Sequence, residues 1–472
     1  MKKQYEITLR YSIYLAFIFF LIFYSFLVGV NSVMVPLLIV IYFYIKKSQI
    51  KTTLKIRMHQ LGFLFCIGFS LIFFLRFHTN LSAYYLPVPA LAMVTMLLFP
   101  NMQYSLLMAL TLSFLSAYLF QNDLNLAAIL FIGSLIGIFF VDNIRKRLRI
   151  IQAGLFVSLG MTLSIILLSF RPEVGFDSLY SPHLVPALVN GILWSFFVAG
   201  ILPLFEYLFK AVTNISLLEY SDFNHPLLKR LVLEAPGTYH HSLMVGNLAE
   251  VAAEAIGANS LLARVGSYYH DIGKLHKPEY FSENLDKSIS HHEQLKASMS
   301  KLVIINHIKE GVELATKYKL NRVLIDFIQQ HHGTSLVFYF YRKALEGKIA
   351  DSEEVKEEVF RYPGPKPQTK EIAIVLLADS VEAACRSLES PDAQRIEEVV
   401  NTVVNNKFID GQLDECELTL RDLYKIAATF KRILTAIYHS RIEYPSEKDE
   451  DNNKESTERN KNRYHTNRSS SN

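Results

Sequence analysis

The distribution of hydrophobic and polar positions divides the chain near residue 210. Before that point, apolar runs follow one another with almost no charge inside them, whereas beyond residue 215 apolar residues recur at helical spacing among charged ones. Hydrophobic residues make up 51% of the 472 residues, and the first part accounts for this high value. The pattern predicts an all-α protein, with a polytopic membrane helix bundle followed by a soluble helical domain.

Eight apolar runs have the composition of membrane-spanning helices. A bilayer core of about 30 Å needs about 20 helical residues, so the longest runs qualify outright. The second run is short and contains Pro36, which makes it the weakest of the eight. A cleaved signal peptide is an alternative for the first run, but no small-x-small cleavage site follows it. The runs lie near residues 11–30, 33–45, 60–75, 83–99, 104–120, 124–141, 151–170 and 184–208.

Positive charge predicts the orientation of these spans. Lys and Arg cluster before the first run, after the second and after the sixth, whereas the alternate loops hold little more than Arg76 and Arg171. Such clusters stay in the cytoplasm, so both ends of the chain and everything after residue 210 are predicted to be cytoplasmic. The clusters are Lys2, Lys3 and Arg10; Lys46, Lys47, Lys51, Lys55 and Arg57; and Arg145, Lys146, Arg147 and Arg149.

The soluble part is predicted to be an all-α bundle, because no stretch alternates with period 2. The tail after Pro445 has almost no apolar residues and mixed charge, which predicts disorder. A net charge of +4 is modest and gives no indication of nucleic acid polymer binding. Three cysteines without metal-like spacing, Cys66, Cys385 and Cys416, indicate free thiols in a reducing compartment. The predicted helices are Ser242–Ile256, Leu261–His270, Arg322–His332, Lys370–Leu388 and Thr419–Ile437.

The string HDIGK, residues 270–274, offers a histidine nitrogen and a carboxylate to one small volume. That is the ligand mix of divalent transition metals, and an Asp in such a pair can bridge two ions. Asp379 lies in the run IAIVLLADSVEAA, where a charge is costly unless it is paired or metal-bound. Other ligand-type residues in the same part are His307, His331, His332 and one of the adjacent pair His240 and His241, between which the chemistry does not decide. This set predicts a metallohydrolase.

Several long strings carry a family resemblance. They are LLEYSDFNHPLLKRLVLEAPGTYHHSLMVGNLAE (217–250), ARVGSYYHDIGKL (263–275), QQHHGTSL (329–336), RYPGPKPQTKE (361–371) and LADSVEAACRSL (377–388). With them the chain resembles the HD-domain superfamily of metal-dependent phosphohydrolases, and more closely the seven-transmembrane HD family of PgpH-like cyclic-di-AMP phosphodiesterases. The resemblance covers nearly all of residues 30–445.

The resemblance implies a site with two divalent ions, Mn or Fe, and selects His241 over His240. It assigns the first ion to His241, His270, Asp271 and Asp379, and the second to His307, His331 and His332, with Asp271 bridging. It implies Asp271 and Lys274 as catalytic residues and a cyclic dinucleotide as substrate, opened to pApA in bacterial second-messenger signalling. In the loop RYPGPKPQTK, Arg361, Tyr362 and Lys366 are candidate substrate contacts, although a plain loop stiffened by prolines is an equal alternative.

The predicted organisation is an N-terminal membrane helix (1–32), a seven-helix membrane region (33–210), a cytoplasmic HD phosphohydrolase domain (211–445) and a disordered tail (446–472). The chain is therefore predicted to be a multi-pass protein of the bacterial cell membrane, in contact with the lipid bilayer. Whether it forms a homodimer stays open. Two features depart from the family. About three residues near Ser32 separate the first two spans, where most members carry an extracellular domain, and SHHEQL (290–295) replaces a string like NPHDKL.

Three other functions compete with cyclic-di-AMP hydrolysis. The same site could hydrolyse cyclic di-GMP or guanosine tetraphosphate, but the GYP tripeptide of the cyclic-di-GMP branch is replaced by Gly333-Thr334-Ser335. A non-catalytic nucleotide-binding receptor should have lost ligands, whereas all seven positions are intact. A transporter is disfavoured because no predicted span contains a midplane acid or base.

Overall fold

The structure, a computed structural model, describes residues 58–169, 182–285, 295, 297–346, 355–388 and 391–439. These residues form helices and no strand, apart from one isolated antiparallel bridge between Leu336 and Arg361. The all-α prediction is therefore confirmed. The first two predicted spans, the basic residues before Met58, Arg171, most of the string 290–295 and the tail lie outside the described residues.

Six helices of the first part follow the predicted apolar runs. Five are long and apolar enough to cross a membrane, and the sixth, α2, forms a shorter apolar segment with the 3-10 turn before it. Large apolar side chains such as Phe139 and Leu167 remain exposed on the outside of this bundle, as lipid-facing residues are in a membrane protein. The helices are α1 (Met58–His78), α2 (Val88–Leu98), α3 (Met102–Leu119), α4 (Leu124–Val141), α5 (Leu148–Ser169) and α6 (Leu184–Phe209).

Small residues let helices α5 and α6 approach each other closely. A Cβ atom on Gly154 of α5 would lie 2.4 Å from the carbonyl oxygen of Gly191 in α6, a distance that no side chain tolerates. The hydroxyl of Ser158 accepts a hydrogen bond from the backbone of Ile192 at 3.1 Å across the same contact. Helix pairs in membranes associate through such small residues because apolar burial alone does not distinguish protein from lipid.

A short helix, α7 (Asn214–Tyr220), joins the membrane bundle to the second part. Its start is fixed by the buried carboxylate of Glu206 in α6, which accepts hydrogen bonds from the amide of Thr213 (3.0 Å) and the hydroxyl of Ser216 (2.8 Å). From the other side, the amide of Asn321 donates to the carbonyl oxygen of Ala211 at 2.8 Å. The junction is therefore held by side chains from both parts.

Among the residues that the structure describes, the second part contains nine further α-helices. All five predicted helices are present, and α8, α11, α13 and α15 were not predicted. Helix α9 begins at Pro236, six residues before the predicted start, because proline is suited to the first turn of a helix. The nine are α8 (Pro226–Glu234), α9 (Pro236–Ala255), α10 (Ser260–Tyr269), α11 (Ala297–Lys317), α12 (Arg322–Gln330), α13 (Phe338–Glu346), α14 (Lys370–Arg386), α15 (Ala393–Ile409) and α16 (Leu420–His439).

Helix α14 lies at the centre of this part. All residues from Ile372 to Ala378 are buried, because α9, α12 and α15 pack around the helix. This explains why its sequence is a continuous apolar run rather than an amphipathic one. Asp379 continues the run, and it stays buried at 7% exposure.

Candidate metal centre

The HDIGK string turns sharply at the end of α10. His270 ends that helix, and a 3-10 turn, Ile272–His276, follows Asp271 at once. Gly273 allows the turn to press against α11, since a Cβ atom there would lie 1.8 Å from the carbonyl oxygen of His307. The glycine therefore brings the HD pair and His307 into one site.

The structure brings all seven predicted ligands together. They form two groups, each with its ligand atoms within 4.8 Å of one another, and both groups contain Asp271. Six of the seven residues are buried. The groups are His241, His270, Asp271 and Asp379, and Asp271, His307, His331 and His332.

The two carboxylate oxygens of Asp271 face different groups. Oδ2 lies 3.2 Å from Nε2 of His270 and 3.6 Å from Nε2 of His241. Oδ1 lies 3.4 Å from Nε2 of His307 and 3.6 Å from Nε2 of His331. This is the arrangement of a carboxylate that bridges two neighbouring cation sites.

Hydrogen bonds to the backbone fix the ring state of three histidines. In each, Nδ1 lies against a carbonyl oxygen three residues earlier in its own helix. Because a carbonyl only accepts, Nδ1 carries the proton and the Nε2 lone pair faces the cluster. The pairs are His270 with Ser267 (2.6 Å), His307 with Ile304 (2.5 Å) and His331 with Ile328 (3.0 Å).

These contacts provide a test of whether the residues fit a metal. With its proton on Nδ1, Nε2 of His270 presents a lone pair to Oδ2 of Asp271, so two acceptors face each other. Nε2 of His270 and Oδ1 of Asp271 are both buried without a hydrogen-bond partner. One cation in each ligand group would satisfy these atoms, and a mixed imidazole and carboxylate set suits divalent transition ions. The residues therefore fit a metal site.

The pKa values of the ligand residues are shifted in different directions. Burial opposes ionisation of Asp271, but the ammonium of Lys274 holds the pKa of its carboxyl well below the usual range. Burial lowers the pKa of His307 to about 4, so that imidazole is neutral. His241 differs: burial opposes its charge, but hydrogen bonds to Asp379 and Glu382 raise its pKa to about 9.

Two residues outside the ligand set orient it. Nδ1 of His241 lies 2.5 Å from Oε2 of the buried Glu382, so this ring is fixed by a carboxylate instead of a carbonyl. The ammonium of Lys274 lies 2.8 Å from Oδ2 of Asp271 and 2.6 Å from Oε1 of Glu283. Neither Glu382 nor Glu283 was predicted from the sequence. The spacing of Glu382, three residues after Asp379 on one helix face, is a signal that could have found it.

The loop after α13 lies against the cluster, but its basic residues are already engaged. The ring of Tyr362 stacks on His332 with 4.3 Å between centroids. The guanidinium of Arg361 contacts Asp410 at 2.7 Å and also binds Glu357 and the carbonyl oxygen of Thr334. These contacts favour a role for Arg361 in holding the loop. Lys366 lies 3.5 Å from a carboxylate oxygen of Asp414 and keeps a quarter of its side chain exposed.

Three other described histidines of this part, His225, His240 and His276, belong to neither ligand group. His240 is exposed while its neighbour His241 is buried, which matches the choice made by the resemblance. His225 accepts a backbone hydrogen bond at the start of α8, and His276 is largely exposed.

An all-helical domain with two metal-ligand groups that share the Asp of a His-Asp pair defines the class of metal-dependent HD hydrolases. Two family models agree with this class: "HD domain" matches residues 238–384, and "7TM receptor with intracellular HD hydrolase" matches residues 23–213. The chain belongs to this family of seven-transmembrane proteins with an HD hydrolase domain.

Named relatives share most of this chain. Cyclic-di-AMP phosphodiesterase PgpH of Bacillus subtilis (strain 168) is 40% identical over 381 residues, which are 79% of this chain and 53% of that protein. The PgpH of Listeria monocytogenes (strain 10403S) is 40% identical over 355 residues, 74% of this chain and 48% of that protein. The chain thus spans about half the length of these relatives. A crystal structure of the L. monocytogenes PgpH HD domain in complex with cyclic-di-AMP is 48% identical, covers 46% of this chain and 100% of that one, and has a TM-score of 0.44.

Proposed function

We propose that this protein is a membrane-anchored, metal-dependent phosphodiesterase that hydrolyses cyclic di-AMP to pApA. The observation that carries the proposal is the pair of ligand groups that share Asp271, with one carboxylate oxygen facing each group. The two PgpH relatives, which are named cyclic-di-AMP phosphodiesterases, support the choice of substrate.

The proposed site holds two divalent ions, Mn or Fe. His241, His270, Asp271 and Asp379 would bind one, and Asp271, His307, His331 and His332 the other. When bound, such a pair lowers the pKa of a water and offsets the charge that develops on a phosphodiester. The residues around the ligands keep the donor atoms fixed and the site largely closed to solvent.

Lys274 has a proposed role in catalysis through Asp271. Burial disfavours its charge, but Asp271 and Glu283 raise the pKa of the ammonium above its ordinary value, so Lys274 stays protonated. Two of its three N–H groups meet these carboxylates, which keeps Asp271 ionised and in place. The third remains for a phosphate oxygen of the substrate.

For a substrate contact we propose Lys366 at the edge of the site, with Arg361 fixing the loop that carries it and Tyr362 supporting the ligand His332. Tyr362 is 8% exposed and has one ring face against His332. It therefore positions that ligand and offers little surface to a base. Lys366 is the more exposed of the two and is placed on the same loop.

We propose that the HD domain faces the cytoplasm of a bacterial cell. Arg147, in the basic loop after α4, forms an ion pair with Glu219 of α7 at 2.9 Å, so this loop and the start of the second part lie on one side. Basic loops stay on the cytoplasmic side. The proposed division of the chain remains a membrane helix (1–32), a seven-helix membrane region (33–210), the HD domain (211–445) and a tail (446–472). Whether the protein forms a homodimer is to be measured.

The test uses the full chain in lipid nanodiscs, loaded with Mn²⁺ and incubated separately with cyclic di-AMP and cyclic di-GMP. Chromatography should show pApA from cyclic di-AMP. Asp271→Ala should abolish the product, because both ligand groups lose their shared member. Asp326→Asn, a surface carboxylate of α12, is the matched control and should retain activity.

Two results would overturn the proposal. Binding of cyclic di-AMP without pApA formation by the Mn²⁺-loaded parent would make the protein a nucleotide receptor. Faster opening of cyclic di-GMP than of cyclic di-AMP would leave the phosphodiesterase class in place and replace the substrate.

A further inference from the structure

Lys407, near the end of α15, lies just outside the metal-ligand cluster on a helix that supplies no ligand. Its ammonium donates a hydrogen bond to the hydroxyl of Ser335 at 2.7 Å. The carbonyl oxygen of Ser335 accepts from the amide of Tyr362 at 3.0 Å, and the Tyr362 ring stacks on His332. Lys407 therefore lies on the His332 side of the site, one layer outside the ligands.

The charge of Lys407 lacks the partner that the other basic groups near the site have. Within the described residues, no carboxylate oxygen lies within ion-pair distance of its ammonium, and its hydrogen-bond partner is a neutral hydroxyl. The others are paired as follows: Lys274 with Asp271 and Glu283, Arg361 with Asp410 and Glu357, and Lys366 with Asp414.

This arrangement is unfavourable in the free protein. Burial lowers the pKa of Lys407, although Asp379 and Asp410 act in the opposite direction from a distance. A partly buried ammonium with one neutral partner contributes little to stability. Natural proteins give up stability of this kind where function requires the group.

We propose that Lys407 binds the phosphodiester group of the cyclic dinucleotide that is not cleaved. The inference rests on the proposed function, and it assigns a second anchor to the same site. A cyclic dinucleotide carries two phosphodiester anions, and the ligand groups around Asp271 take the one that reacts. The ammonium of Lys407 lies beyond ion-pair distance of Asp379, but the charge of Asp379 still acts on it. The ammonium therefore lies outside the ligand shell, where a second phosphate needs a cation.

The test compares two substrates in the full chain in Mn²⁺-loaded nanodiscs. Lys407→Met removes the charge and keeps much of the side-chain volume. For cyclic di-AMP, KM should rise about 10- to 100-fold, the range of one charge-assisted hydrogen bond, with little change in kcat. For bis(p-nitrophenyl) phosphate, which has a single phosphodiester, kcat/KM should stay within about twofold of the parent value, because no second phosphate is lost.

Three further measurements separate binding from structure. Lys407→Arg should recover much of the lost affinity because it keeps the charge. Lys431→Met, a lysine of α16 paired with Glu397, is the matched control and should leave both substrates unaffected. The thermal unfolding midpoint and the bound Mn²⁺ of Lys407→Met should equal or exceed those of the parent, since the change removes a poorly solvated charge.

The outcomes are distinguishable. An unchanged KM for cyclic di-AMP, or an equal loss on both substrates, overturns the assignment of Lys407. A lower unfolding midpoint with weaker metal retention overturns it too, in favour of a structural role. If the parent turns over bis(p-nitrophenyl) phosphate but not cyclic di-AMP, the proposed function fails, and that result comes from the parent alone.

Discussion

Glu382→Gln isolates the carboxylate that orients His241. In the parent, Oε2 of Glu382 lies 2.5 Å from Nδ1 of His241, while Nε2 of the same ring lies 3.0 Å from Oδ1 of Asp379. The amide keeps the size of the side chain and removes its negative charge. The amide also offers N–H donors where the carboxylate offered only acceptors, so the ring loses part of its restraint.

The magnitude follows from the type of contact that is lost. A hydrogen bond to a charged group contributes about 1.5–3 kcal/mol. Since about 1.4 kcal/mol is tenfold in an equilibrium constant, the affinity of the site that contains His241 should fall about 10- to 100-fold. Loss of the residue behind a metal-bound histidine has effects of this size in other metal sites. The second ligand group contains neither residue and should keep its affinity.

The assay is a competition between the protein in nanodiscs and a chromogenic chelator for Mn²⁺. The parent protein should bind two Mn²⁺ ions, with either two affinities or one. In Glu382→Gln, one of the two ions should bind more weakly. Hydrolysis of cyclic di-AMP at saturating Mn²⁺ should recover most of the parent rate, because the ligands themselves are unchanged.

Arg386→Gln is the matched control. Arg386 contacts the same carboxylate oxygen at 3.4 Å from the solvent side but does not touch His241. It should leave metal affinity within about twofold, as partly exposed ion pairs contribute little. Equal Mn²⁺ affinity in Glu382→Gln and the parent, or a loss in Arg386→Gln as large as in Glu382→Gln, would refute the orienting role.

Three other predictions concern the same turn and its supports. Gly273→Ala should cost about 3 kcal/mol of unfolding free energy and reduce bound metal, because the new Cβ meets the His307 carbonyl. Gly200→Ala is the control, because its new Cβ meets no atom within 4 Å, and it should leave the unfolding free energy unchanged. Equal losses of unfolding free energy in the two variants would contradict this. Tyr269→Phe removes the 2.7 Å hydrogen bond to the Tyr220 carbonyl and should lower stability by about 1 kcal/mol, measured by thermal unfolding. In metal-free protein, folding lowers the pKa of His307 from 6.5 to about 4. The contribution of this residue therefore favours the folded state above pH 6.5 and is lost as the pH falls toward 4. The fall in unfolding midpoint over that range should be smaller in His307→Gln.

The sequence predicted the parts of the fold that follow from apolar patterning. The six described spans and helix α14 are continuous apolar runs because lipid or protein surrounds them on all sides. Helices α11 and α15 were not predicted, since polar residues interrupt their apolar positions and half of each surface faces solvent. Helix patterns of that kind are weaker signals than continuous runs.

The ligand residues could be predicted because their chemistry conflicts with their surroundings. Asp379 stands out as a charge in an apolar run, and the structure buries it among histidines. Glu283 and Lys407 gave no such signal: Glu283 meets Lys274 only because the chain turns between them, and Lys407 contacts Ser335, which is 72 residues away. Their roles depend on tertiary distances that neither spacing nor composition encodes.

The connection between the membrane helices and the metal-ligand residues is short. The carboxylate of Glu206 in the last span accepts a hydrogen bond at the start of helix α7. At the other end of α7, the carbonyl oxygen of Tyr220 accepts a hydrogen bond from the hydroxyl of Tyr269. Tyr269 is the residue immediately before His270. A piston or tilt movement of α6 would therefore be transmitted to the His-Asp pair through one short helix and one hydrogen bond.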